Sequence, residues 1–292
     1  MVAMKPISLN AKIDITPFLT INPESTVEYC FACLLTWSKS IFNSYTISDD
    51  GLLINTHYEG EPWLMPYGNI TKQSVLACRK LHDDKYKNIP FRMTYITERS
   101  KNLLTNWFGN EVTFTPIDGG SDYIYYREKL STLSGQKYQA KRNFINRFMQ
   151  QYGTRYNHEP ITAQNIDEVR CFEQAWSNNA DMPESRQAMA LLLDNIFNID
   201  AFGRLLRIDD QIIAFTIGAA CGNNAIDILA EKADHRFIGA YPMINQLFST
   251  HDCQNVAYIN REEDLGIEGL RKAKLSYNPI DIIHKYEATF MG

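Results

Sequence analysis

Four groups of residues in this chain have the types and spacing for group-transfer chemistry. The first is Ala225-Ile-Asp-Ile-Leu-Ala-Glu231, followed by a polar loop through Arg236, Ile238, Gly239 and Ala240 and an amphipathic segment to Phe248. An apolar strand that feeds a helix through such a loop leaves backbone N–H groups unpaired at the helix start, and these suit an anion such as a pyrophosphate. Arg236 can clamp phosphate oxygens in pairs, Gly239 permits close backbone approach, and the amides at Ile238 and Ala240 complete a cradle. The competing reading is a loop that merely turns the chain, with Arg236 in solvent. Glu231 stands where a carboxylate could deprotonate an acceptor ammonium, provided burial raises its pKa. An ion pair with Lys232 or another cation is the alternative.

The second group, Asn260-Arg261-Glu262-Glu263-Asp264, lies just past a short buried strand, where ligands of open α/β sheets bind. Arg261 could hold a carboxylate or phosphate, and Glu263 or Asp264 an amine. A charged loop capping the next helix explains the same residues. The third group is Lys137, Lys141, Arg142 and Asn143, in a basic stretch between Arg127 and Arg155 that contains one acid, Glu128. It could bind phosphates of CoA or of a tRNA acceptor end, or be a solvated helix face. Lys274 is the fourth: like Lys141 it interrupts an apolar helical stripe. The two could converge on an anion between domains, or each could snorkel to water. No metal site is expected, because Cys30-Phe-Ala-Cys33 is a lone CxxC pair and the histidines are scattered.

The elements that must position these groups are legible from periodicity. In the second half, Ile161–Asn178 and Ser185–Asn198 read as helices, and Phe202–Ile208, Gln211–Ala220 and Ala225–Ala230 as strands with turns at Asp209-Asp210 and Gly222-Asn223-Asn224. A helix at Tyr241–Thr250, a strand at Val256–Asn260, a helix at Ile267–Leu275 and a closing strand at Asp281–Thr289 follow. The first half repeats this order more loosely, with a helix over Glu24–Ser38, a turn at Asp49-Asp50-Gly51, a helix over Thr71–Tyr86 and strands to Thr115. A long helix, Gln136–Tyr152, joins the halves, with Ser134 as its expected N-cap. The segments are 1–120, a connecting piece 121–155 and 156–292.

At 292 residues, 45% hydrophobic and 22% charged, the chain is globular, and its net charge of −5 argues against nonspecific nucleic-acid binding. No apolar run approaches the ~18 residues of a membrane-spanning helix, so integral membrane association is not expected. Six unevenly spaced cysteines and no secretory leader point to a cytoplasmic setting.

The spacing Arg236-x-x-Gly239 resembles the cofactor loop of the GCN5-related N-acetyltransferase (GNAT) superfamily, with Tyr241 where a small residue is usual. Ser121–Tyr125, Leu133–Tyr138, Lys141–Asn143 and above all Asn260–Pro279 resemble the phosphatidylglycerol lysyltransferase C-terminal domain family over nearly the whole chain. That resemblance implies an α+β fold of two tandem GNAT-like domains, each a mixed, mainly antiparallel splayed sheet flanked by helices. It also implies acyl or aminoacyl transfer from acyl-CoA or aminoacyl-tRNA to a small-molecule or peptide amine, with a tRNA acceptor end as a potential partner. A non-catalytic ligand sensor on the same fold is the alternative.

Overall fold

The computed structural model describes residues 4–20, 26–49, 51–58, 61–87, 89–177, 183–222 and 224–291. Glu24 and Ser25 of the first expected helix, Asp50 and Asn223 of two expected turns, and Asn178 lie outside these residues.

In the first half, the strands Phe42–Ser48, Gly51–Tyr58 and Glu61–Tyr67 pair antiparallel in succession, with Lys5–Pro6 on the outer edge, to make a four-stranded sheet. Thr71 and Ser74 then exchange side chain-to-backbone hydrogen bonds of 3.1 and 3.0 Å, a reciprocal cap that starts the helix Lys72–Lys85. In the second half, the helices Ile166–Ser177 and Pro183–Asn195 precede the antiparallel strands Phe202–Ile208, Gln211–Cys221 and Ala225–Ala233. Asp209 and Asp210 both take positive φ, 47° and 66°, as a tight hairpin connection demands. After the helix Ala240–His251, the strand Tyr258–Asn260 runs parallel to Ala225–Ala233, but only from Ala225 to Asp227. Beyond that pair the two strands part. This splay is the one expected of the fold, and the α+β, tandem GNAT-like architecture holds.

The halves exchange strands. Asp122–Tyr126 sits between Tyr258–Asn260 and Asp281–Ile283 in a seven-stranded sheet, while Lys285–Phe290 sits between Arg92–Thr97 and Val112–Pro116 in a three-stranded one. The single closing strand expected over Asp281–Thr289 is therefore two strands in different sheets, broken at His284. Tyr123, Ile124 and Tyr125 are all buried, the unbroken apolar run of a strand covered on both faces. Ser134 does not cap the linking helix: Gly135 turns the chain at φ 97°, a short 3-10 turn follows, and the α-helix is Gln139–Tyr152. No helix among the described residues is long and apolar enough to cross a membrane.

Candidate functional site

One extra residue decides which side chains meet. The register between Gln211–Cys221 and Ala225–Ala233 pairs Gly218 with Ile228 but Ile217 with Ala230, leaving Leu229 as a bulge. Residues four apart in a regular strand share a face. Here Glu231 instead faces the helix Ala240–His251, where Asn245 donates to it at 2.9 Å, while Asp227 faces Cys33 of the first half. The sheet thus presents two different sites on opposite faces.

On the Glu231 face the polar groups of the loop that the sequence offers as a cradle are engaged within the protein. Arg236 is paired with Asp234 at 2.5 Å, and its side chain is 78% exposed. Gly239 has φ 89°, and a Cβ there would collide with the carbonyl oxygen of Phe144 in the linking helix. The missing side chain thus admits the close approach of the linking helix. The amide of Ala240 is bonded to Phe237 O, Ile238 points to solvent, and Tyr241 packs with Phe148 and Phe237. A surface groove of about 1210 Å³ opens beside Trp176 and Arg236, yet its rim acids Asp167, Glu168 and Asp234 are held by Arg170, Arg207 and Arg236. Among the described residues that line the groove, Arg236 is the one lysine or arginine, and it is paired with Asp234.

Deeper on the same face, Arg261 donates to Glu231 at 2.7 Å and lies 4.6 Å from the ring centre of Tyr277 and 5.7 Å from that of Tyr125. The ammonium of Lys141 lies 3.9 Å from the ring centre of Tyr277. Burial, then the charge of Arg261, pushes the Lys141 ammonium down to about 8. Both oxygens of Glu231 are taken, by Arg261 and Asn245, so the cation that pairs with it is Arg261 and not Lys232.

The remaining sequence-selected residues hold backbone. Lys274 does not meet Lys141 around an anion: its ammonium donates to three successive carbonyls, of Arg261, of Glu262 at 3.0 Å and of Glu263 at 2.7 Å. Asp264 accepts from Tyr123 at 2.5 Å, from Arg271 at 2.8 Å and from the amide of Gly266 at 2.9 Å, so it is closed to a substrate amine. Burial works against its ionised form, and those hydrogen bonds outweigh it and hold its pKa low. Arg142 donates to the carbonyls of Leu133 and Gly135, closing the turn before the linking helix. Asn143 accepts from Gln139 at 2.9 Å, and Lys137 is exposed.

The loop that Lys274 clamps presents the opposite site. Glu262 and Leu265 both have φ 55°, and a Cβ on Gly119 would strike the backbone nitrogen of Gly266, so the loop is pinned from two sides. On this face Lys285 is shared between Glu28 at 2.6 Å and Asp122 at 2.7 Å, all three buried. Asn260 donates to Asp122 at 2.9 Å and accepts from the amide of Glu262 at 2.8 Å. Glu28, Asp122, Asp227 and Lys285 escaped sequence reasoning. Only Asp227 carried a signal, as the single charge inside the apolar run Ala225–Ala230.

A splayed, mixed seven-stranded sheet interlocked with two antiparallel sheets, with a buried polar centre where the halves meet, is a tandem GNAT-like fold. The sequence profile of the family described as phosphatidylglycerol lysyltransferase, C-terminal, matches residues 20–289, and the chain belongs to that family. The chain is similar to a crystallised conserved protein of unknown function from Bacteroides thetaiotaomicron VPI-5482, at 36% identity and TM-score 0.93, over 99% of this chain and 100% of that one. The structure of L-PGS from Bacillus licheniformis shares the fold at 17% identity and TM-score 0.62, over 93% of this chain and 92% of that one. An uncharacterised protein of Mycoplasmoides gallisepticum is 30% identical over 175 residues, 58% of this chain and 56% of that one, so the match spans about half of that curated relative.

Proposed function

We propose that this protein transfers an aminoacyl group from a tRNA ester to an amine acceptor, and that it does not use acyl-CoA. The filling of the carrier face supports this reading most strongly. The linking helix packs against the loop at Gly239, and Glu231 is held by Arg261, which lies 4.6 Å from the ring centre of Tyr277. A pantetheine arm with its pyrophosphate would need both places. Membership of a family named for lysyl transfer agrees with an aminoacyl donor.

In the reaction the acceptor nitrogen attacks the ester carbonyl carbon. A C–N bond forms, the C–O bond to the ribose breaks, and the proton lost by the amine goes to the ribose oxygen. Rate enhancement comes chiefly from holding the two reactants in line. The test is product mass spectrometry with a set of small-molecule and peptide amines, supplied with charged tRNAs or with acetyl-CoA. Aminoacylated product from tRNA alone is expected, and no thermal stabilisation by CoA. Product from acetyl-CoA would overturn the reading. Stabilisation by charged tRNA without any product would make the chain a sensor instead.

A further inference from the structure

The helix Ile166–Ser177 buries one stripe, Ile166, Val169 and Ser177, in the core. The neighbouring stripe, Cys171, Phe172, Ala175 and Trp176 at helical spacing, lines the open groove together with Ile212 of the strand Gln211–Cys221. At about 1210 Å³ this groove exceeds the roughly 300–1,000 Å³ of a small-molecule cleft, so it has room for several residues of chain. Its aromatic wall is preformed. Trp176 Nε1 donates to the carbonyl oxygen of Ala233 at 3.1 Å, the Lys232 ammonium lies 4.4 Å from the Trp176 ring centre, and Phe172 stands edge-on to Phe215. The rim is acidic: Asp167, Glu168, Asp210 and Asp234 line it against Arg236. Arg170 and Arg207 reach Asp167 and Glu168 from outside, but each also serves a further acid, Asp194 at 3.0 Å and Glu159 at 2.9 Å. In this network carboxylates therefore outnumber guanidinium groups. Hydrogen bonds from Arg207 and from Arg236 hold Glu168 and Asp234 below the usual carboxylate range, so these rim acids stay ionised at neutral pH.

We propose that this groove docks a basic peptide segment, with an apolar side chain against Phe172 and Trp176 and flanking lysine or arginine side chains at the rim acids. Contiguous apolar surface bordered by charge of one sign matches such a segment: the apolar contact holds it and the charges select it. The same rim repels nucleic acid and acidic peptides. Asp167, with its side chain 87% exposed, and Asp210, at the tip of the hairpin, stand furthest into solvent and would meet the partner first. The groove is argued from its own walls and charges, and the proposal does not rest on the transfer reaction above.

The test measures fluorescence anisotropy of labelled synthetic peptides with the full chain. The set carries a leucine, phenylalanine or tryptophan anchor flanked by lysines or arginines, with matched versions in which glutamates replace the cations or glycine replaces the anchor. At least one basic, anchored peptide is expected to bind, less tightly as salt is raised, and its glutamate and glycine versions about tenfold or more weakly. Ala175→Arg, which places bulk and a cation on the exposed wall, is expected to abolish that binding with an unchanged circular dichroism spectrum. Asp167→Asn combined with Asp210→Asn is expected to flatten the salt dependence; asparagine is tolerated at the φ of 66° that position 210 takes. Should Ala175→Arg fail to fold, a bulky maleimide on Cys171, the exposed one of the six cysteines, carries the same expectation. No binding by any basic, anchored peptide, equal binding by the glutamate or glycine version, or full binding by the folded Ala175→Arg variant overturns the proposal. So does hydrogen-exchange protection of Ile166–Ser177 by tRNA, since the occupant would then be a nucleic acid.

Discussion

Lys285→Met is expected to lower the unfolding free energy by about 3–5 kcal/mol, the usual consequence of removing one partner from a buried ion pair. Among the described residues the ammonium of Lys285 is the cation bonded to both Glu28 and Asp122, and Lys285 and Asp122 stand on the exchanged strands. Methionine fills the volume but leaves two buried carboxylates facing each other. The size of the defect should depend on pH in a definite direction. Burial, then the charge of Asp122, pushes Glu28 up to about 7 even beside Lys285. A carboxyl whose folded pKa is raised contributes stability that is fully present below its ordinary range near 4.5 and lost as pH rises through about 7. At pH 5 the Glu28 of the variant carries a proton and no longer needs a counter-cation. Urea melts should therefore show a smaller difference from wild type at pH 5 than at pH 8. An equal or larger difference at pH 5 would mean that charge is not what Lys285 supplies.

Gly239→Ala is expected to be destabilising by about 3 kcal/mol, through left-handed backbone strain and overpacking together. At φ 89° an L side chain is strained in any surroundings, and the added methyl would meet Phe144 O and lie 3.0 Å from Phe148 Cβ. The loss should appear as a lower urea midpoint, with the linking helix Gln139–Tyr152 exchanging its amide hydrogens faster. Had this glycine served an anionic carrier, the substitution would weaken ligand binding and leave the apo protein nearly as stable. The two outcomes are easily told apart.

Much of the fold could be read from the sequence because it is local. The hairpin at Asp209-Asp210, the strand Ala225–Ala233 with its following helix, and the helix ending at Leu275 follow from periodicity and turn chemistry. The break at His284 could not, because Asp281–Phe290 is nearly continuous strand locally and only its distant partners divide it between sheets. The contacts around the site were hidden for a related reason. Arg236-x-x-Gly239 states that a helix start needs a close approach, yet not what approaches it, and here that is Phe144. The partners of Glu231 and Lys274 depend on one bulge and on three carbonyls, neither visible in a one-dimensional pattern. The Lys285–Glu28–Asp122 cluster joins residues up to 257 positions apart, and no spacing rule spans that distance.

The most direct measurement compares single-turnover aminoacyl transfer from charged tRNA by the wild type and Arg236→Ala, each checked for folding and each also supplied with acetyl-CoA. If the outer loop does not hold a carrier, Arg236→Ala should stay within about twofold of wild type, about 0.4 kcal/mol in the barrier, and neither protein should turn over acetyl-CoA. Loss of transfer in the folded Arg236→Ala variant, or product from acetyl-CoA, would contradict the account.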